Sequence, residues 1–183
     1  MEEQGEIKPK ASWGTRAGKR ILRELPWILI IGAIYWAVSS SQTADIATGA
    51  QPPTFQARQI GAEAMIDTQE LRGKPLVLVF WAPWCRVCAV EMPLLGDLQQ
   101  SFGDRAWVLG VGLSGSRAEM EEFVDKHGGG FPQVYGDDGI AAAYGIRAFP
   151  TILVLDAEGR VQNQYVGVTT RWRLRWAVSR LLD

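Results

Sequence analysis

The sequence predicts an α/β protein, a central mixed sheet flanked by helices and preceded by a single N-terminal transmembrane helix. Three observations carry this reading. The runs 76–81, 106–113 and 151–155 are continuously apolar and have the length of buried strands. The stretches between them show helical spacing of apolar residues. Ahead of them all, residues 25–38 are apolar and uncharged, behind a basic leader.

The leader, residues 1–24, carries Arg16, Lys19, Arg20 and Arg23 close to the apolar stretch, with only Glu24 against them after position 10. Positive charge on the N-terminal flank keeps the leader cytoplasmic and sends the rest of the chain across. Residues 25–41 are the expected anchor or signal segment. Fourteen uncharged residues, extended weakly by Ser39, Ser40 and Ser41, are short for a span, which takes about 20. Trp27 near one end, and Tyr35 and Trp36 near the other, suit the two membrane interfaces. Pro26 is compatible with a first helical turn. A cleaved signal peptide, with Ala37-Val38-Ser39 at the cut, and a buried core helix are the competing readings. The long leader favours a retained anchor. The chain is then a single-pass protein of the cytoplasmic (inner) membrane with its C-terminal domain on the periplasmic side.

Residues 42–54, small and polar with a Pro52-Pro53 pair, read as a linker. The globular domain is expected over 55–183. Its first strand, Leu76 to Trp81, is bounded by Gly73-Lys74-Pro75 and by Pro83. A helix from Cys85 to about Phe102 places Val87, Val90, Leu94, Leu95, Leu98 and Phe102 at mixed three- and four-residue steps, with Pro93 as a kink. A second strand covers 106–113. Ser116 and Glu119 form a capping box that opens a helix to about Lys126, which Gly128-Gly129-Gly130 stops. A short helix follows over 139–144, then the strand 151–155. A turn at Asp156-Ala-Glu-Gly159 leads into an outer antiparallel strand over 161–166. A last helix over 170–182 has Trp172, Trp176 and Leu181 among its apolar positions.

Composition excludes several functions. The chain has 183 residues, with 19 Lys/Arg against 20 Asp/Glu. Without a basic excess, nucleic acid is disfavoured as a partner. Hydrophobic content of 47% and charged content of 21% are those of a folded chain. Two cysteines cannot build a disulfide-stapled scaffold, and with one histidine they argue against a four-ligand zinc site.

Those two cysteines carry the chemistry. Phe80-Trp-Ala-Pro-Trp-Cys-Arg-Val-Cys88 ends a buried strand and opens a helix. The spacing lets the two sulfurs bond. It also puts Cys85 at a helix N-terminus, where free N–H groups and the dipole favour thiolate. Cys85 is the expected attacking thiol, and Cys88, a turn inward, the resolving one. Arg86 would lower the Cys85 pKa further if it lies near the sulfur. Two inert buried cysteines, or a two-ligand metal site, are the alternatives. His127 borders a glycine run and reads as an exposed helix-end residue rather than a ligand. Phe149-Pro150-Thr151 precedes an apolar strand, a position for either a cis proline or a trans proline that starts a strand.

Trp-x-x-Trp-Cys-x-x-Cys after a buried strand, followed later by Tyr144-Gly-Ile-Arg-Ala-Phe-Pro-Thr151, resembles the thioredoxin fold. The details are similar to TlpA-like, membrane-anchored envelope thioredoxins, including the copper-sensitivity-suppressor (ScsD-like) proteins. They are Leu71-Arg-Gly-Lys-Pro75, Cys88-x-x-Glu91-x-Pro93, Val111-Gly-Leu-Ser-Gly115, Gly136-Asp-Asp-Gly139 and Gly167-Val-Thr-Thr170. The resemblance runs from about Phe55 to Leu182. It implies Cys85 as nucleophile, Cys88 as resolving thiol and Pro150 as a cis proline whose neighbouring backbone pairs with a substrate peptide. Phe149 and Trp84 would border the site. Glu91 would be a buried carboxylate of raised pKa that exchanges a proton with Cys88, where its bland reading is a solvated helix residue. Two residues depart from the pattern. Arg86 replaces a proline common between these cysteines, and Val79 stands where cytosolic thioredoxins keep an aspartate.

The expected function is a thiol:disulfide oxidoreductase acting on envelope protein disulfides as a reductant, without cofactor or metal, and fed by a membrane thiol reductase. Its substrates would include an apocytochrome cysteine pair or proteins damaged under copper stress. The alternative is a Cu(I) chaperone or sensor using the same pair. A redox-dead interaction module is disfavoured by the presence of both cysteines. A peroxidase is disfavoured by the lack of a Thr-x-x-Cys arrangement, since residues 82–85 read Ala-Pro-Trp-Cys.

Overall fold

Strand β3 (Leu76–Trp81) is buried at every residue and forms the centre of a five-stranded sheet. The computed structural model describes residues 26–34 and 46–182. Two units are distinguished, Met1–Ser41 and Gln42–Asp183. In the first, residues 26–34 form a helix, α1, with exposed apolar side chains from Trp27 to Ile34. The expected leader lies outside the described residues, as do positions 25 and 35–41 of the expected span. No helix among the described residues is long and apolar enough to cross a membrane.

In the second unit a short hairpin, β1 (Gln56–Arg58) and β2 (Met65–Asp67), precedes β3. There follow α2 (Arg86–Phe102), β4 (Trp107–Gly112), α3 (Arg117–His127), β5 (Gln133–Tyr135), α4 (Asp138–Ala143), β6 (Thr151–Leu155), β7 (Val161–Val166) and α5 (Arg171–Ser179). The sheet order is β5-β4-β3-β6-β7. The first three strands run parallel, as crossovers through helices require. Strand β6 is antiparallel to β3, and β7 closes the edge as a hairpin partner of β6. The mixed sheet is therefore as expected.

Alternation along β3 divides the core in two. Val77, Val79 and Trp81 face a cluster with Met92, Leu95 and Leu98 of α2 and Leu174 and Val178 of α5. Leu76, Leu78 and Phe80 face Tyr144, Leu109 and Val111. The Trp81 ring stacks on Phe123 at 4.4 Å, and its indole N–H donates to Gln133 Oε1 at 2.8 Å.

Two helices turn a different face inward than apolar size suggests. In α2 the buried side chains are Cys88, Glu91, Met92, Leu95, Leu98 and Phe102, while Val87 and Val90 are exposed. In α5 the buried residues are Leu174, Ala177 and Val178, and the expected Trp172 and Trp176 are exposed. Steps of three and four residues select 174, 177 and 178 together, which puts both tryptophans on the opposite side. The expected linker is also partly docked. Gly49 N–H donates to Val161 O, Val161 N–H donates to Ala50 O, and the Tyr144 hydroxyl donates to Pro53 O. Packing of the domain thus begins before Phe55.

Helix α2 passes very close to the loop after α3. A Cβ at Gly96 would lie 1.8 Å from the Gly129 carbonyl oxygen, a backbone atom that cannot swing aside. Gly96→Ala gains about 1 kcal/mol of helix propensity but forces this overlap. We expect a net destabilisation of about 2 kcal/mol or more, read as a lower urea midpoint at unchanged slope. A midpoint equal to wild type would show that the two backbones can separate at no cost.

Candidate active site

The chain leaves the C-terminal end of β3 through Ala82-Pro-Trp84 and enters α2 at Cys85, which is its N-cap residue. Cys85 is closed onto Cys88 as a disulfide, with the Cα atoms 5.3 Å apart. The Cys88 amide donates to Cys85 Sγ at 3.2 Å. A backbone N–H aimed at this sulfur favours its anionic form once the pair is reduced, and the helix dipole adds to that. No acidic side chain occupies the first turn of α2 to oppose it. Cys85 is 7% exposed and Cys88 1%, so the outer sulfur belongs to the residue expected to attack. Arg86 is exposed at the first helical position.

Across the disulfide-bearing turn, the Phe149–Pro150 peptide bond is cis and Pro150 is buried. Phe149 meets Trp84 edge to face, with ring centroids 5.6 Å apart. Trp84 is 65% exposed, and its indole N–H donates to the Ser114 carbonyl oxygen at 3.0 Å. The contact fixes a large aromatic at the rim between the end of β4 and the proline turn. Val87, Val90 and Val168 are further exposed apolar side chains on the adjoining segments.

Glu91 follows Cys88 by three positions and shares its face of the helix. It is buried, not solvated, and its Oε1 accepts a hydrogen bond from the Thr169 amide at 2.6 Å. Oε2 and the Thr169 hydroxyl are both buried without a hydrogen-bond partner among the described residues. Burial pushes the Glu91 carboxyl pKa up from the usual carboxylate value, and the Thr169 N–H partly offsets this. The loop supplying Thr169 also ties down the proline turn, since Gly167 N–H donates to Pro150 O at 2.8 Å. Thr169 and Ser114 are contacts that residue type alone did not single out. Gly167-Val-Thr-Thr170 was legible only as a familiar ending.

Val79 is fully buried in apolar surroundings. His127 is exposed at the end of α3, tilted against the Phe123 ring. Among the described residues no group of three or more His, Cys, Asp or Glu side chains could hold a metal ion.

The sequence profile of the AhpC/TSA family matches residues 48–164. The chain belongs to that family. Among curated relatives, the thioredoxin-like protein YneN of Bacillus subtilis is 30% identical over 159 residues, covering 84% of this chain and 93% of the relative. The thiol-disulfide oxidoreductase ResA of Oceanobacillus iheyensis is 28% identical, covering 84% of each chain. Among solved structures, a secreted Mycobacterium tuberculosis disulfide oxidoreductase homologous to Escherichia coli DsbE is 28% identical with a TM-score of 0.61, covering 69% of this chain and 96% of that one. The domain is a thioredoxin-like member of the AhpC/TSA family, with the mixed sheet and flanking helices described above.

Proposed function

We propose that this chain is a thiol:disulfide oxidoreductase that acts on protein disulfides through Cys85 and Cys88, in the reducing direction. The observation that carries the proposal is the Cys85–Cys88 disulfide at the N-terminus of α2, with the Cys88 amide donating to the outer sulfur. The names of its relatives support the same reaction class.

The reaction starts from the reduced pair. The Cys85 thiolate attacks one sulfur of a substrate disulfide, forms the mixed disulfide and expels the other substrate sulfur as thiolate. Cys88 loses its proton, attacks Cys85 Sγ, closes the bond present in this structure and releases the second substrate thiolate. The substrate gains two electrons and the enzyme pair loses them; the Cys88 proton and one more from solvent convert the two released thiolates to thiols. Glu91 takes that proton in this scheme, a role supported by its buried place one turn from Cys88 on the same helix face. Trp84, Phe149 and the backbone at Pro150 form the surface that receives the substrate chain, and Val87, Val90 and Val168 widen it for an unfolded polypeptide.

We further propose that residues 25–41 anchor the chain in the inner membrane and hold the domain on the extracytoplasmic side. Basic residues before the apolar stretch support this, and the secreted relative fits it. A membrane thiol reductase would then return the pair to its dithiol form. The copper reading gains no support from the relatives, which are named as disulfide oxidoreductases.

The deciding measurement is the equilibrium reduction potential of Cys85–Cys88. For scale, thioredoxin lies near about −270 mV and the oxidant DsbA near about −120 mV. A reductant requires a value close to the former. A value close to the latter reverses the proposed direction. Failure to form a reversible disulfide removes the oxidoreductase reading altogether.

A further inference from the structure

Helix α5 has an outward face that the disulfide chemistry does not use. Its sequence, Arg171-Trp-Arg-Leu-Arg-Trp-Ala-Val-Ser179, contains no acidic residue, and Arg180 caps it. Leu174, Ala177 and Val178 point into the core. One turn apart on the far side, Trp172 is 72% exposed and Trp176 48% exposed. Helical rotation puts Arg173 and Arg180 along one side of this tryptophan line and Arg171 and Arg175 along the other. All four arginines are exposed. Arg171 pairs with Asp97 of α2, Arg173 lies over the Tyr165 ring, and Arg180 over the Trp176 ring.

We propose that this face of α5 is a contact for an anionic bilayer surface. A tryptophan line flanked on both sides by arginines is the pattern of a helix lying in the interface. The rings enter the headgroup layer while the guanidinium groups reach the lipid phosphates. Charge selects this occupant and this orientation. Residues 43–183 carry thirteen Lys/Arg and sixteen Asp/Glu, and four of those thirteen are the three α5 arginines and Arg180, so the remainder is strongly acidic and an anionic surface repels it. Chain length brings the surface within reach. From a span ending at 41, the chain to the docked Gly49 extends at most about 29 Å. The inference rests on the proposed anchor.

The test reconstitutes the full chain, one copy per lipid nanodisc, in zwitterionic discs and in discs with about one third anionic lipid. Hydroxyl-radical footprinting then reads each tryptophan separately. Oxidation of Trp172 and Trp176 is expected to be lower by about threefold or more in the anionic discs, and the difference should vanish in an R173Q/R175Q variant. Trp84 should oxidise equally in both discs, since the redox site must stay open. Equal rates at Trp172 and Trp176 overturn the contact and leave the anchor intact. A chain that co-purifies with neither disc overturns the anchor and this contact together. Protection that instead grows in detergent with chain concentration makes a second copy the occupant, and also overturns the proposal.

Discussion

Cys85→Ser is expected to lower the rate of substrate disulfide reduction by roughly 10³-fold or more, because the serine hydroxyl does not ionise at neutral pH and supplies no sulfur nucleophile. Cys88→Ser should behave differently. Its Cys85 still attacks, but no neighbouring sulfur displaces the substrate, so a covalent complex accumulates. The structure gives the reason for the asymmetry. Cys85 is the N-cap residue, its sulfur already receives the Cys88 amide, and it is the more exposed of the two. Cys88 is enclosed by the core cluster and bonded to Cys85. Both variants lose the same disulfide, whose small ring is worth about 2 kcal/mol by loop entropy. Differences between them therefore report chemistry rather than folding. Mass spectrometry after incubation with a disulfide-bonded protein should find adducts on Cys88→Ser and none on Cys85→Ser. The opposite pattern would exchange the roles of the two residues.

What could be read from the sequence depended on the range of the interactions involved. Strands β3 and β6 were legible because a run such as Leu76-Val-Leu-Val-Phe-Trp81 has no polar side for solvent, whatever surrounds it. The α3 start was legible because Ser116 and Glu119 satisfy each other's backbone within one turn. Strands β1, β2 and β5 were not. Each is three residues long and exists through its register with a neighbour, as Gln133 opposite Gly110 illustrates. In α5, Trp172 and Trp176 stood out as apolar positions, but spacing rather than size decides which face is buried, and it selects Leu174, Ala177 and Val178. Residues 49–53 looked like a linker because their partners, Tyr144 and Val161, are far along the chain. The same divide runs through the site. The C-x-x-C pair and its place at a strand–helix junction are local and could be read directly. The burial of Glu91 rested on resemblance alone, since its partner Thr169 is 78 residues away.

Glu91→Gln is expected to make the protein more stable at neutral pH and, if Glu91 handles the Cys88 proton, about 10²-fold slower in reduction. The first half follows from linkage. Burial raises the native carboxyl pKa above its ordinary 4.5, so between the unfolded and native pKa values the native state binds more protons than the unfolded one. Stability contributed by the protonated acid is complete below about pH 4.5 and is lost as pH rises through the native pKa. Glutamine keeps an oxygen for the Thr169 amide and can direct its NH₂ at the Thr169 hydroxyl, which lacks a partner. It never ionises, so its stability advantage over wild type should grow across that window and then level off. The second half follows from what glutamine lacks. It cannot accept the Cys88 proton as the mixed disulfide resolves, so the pH–rate profile should lose the ionisation that wild type shows, with attack by Cys85 unchanged. An aspartate at 91, one methylene shorter, would keep the charge but draw the carboxyl back along the helix, and should recover only part of the rate. If Glu91→Gln follows the wild-type pH–rate profile while its stability advantage grows as described, the buried carboxylate costs stability without serving proton transfer. Cys88 would then have to lose its proton to water.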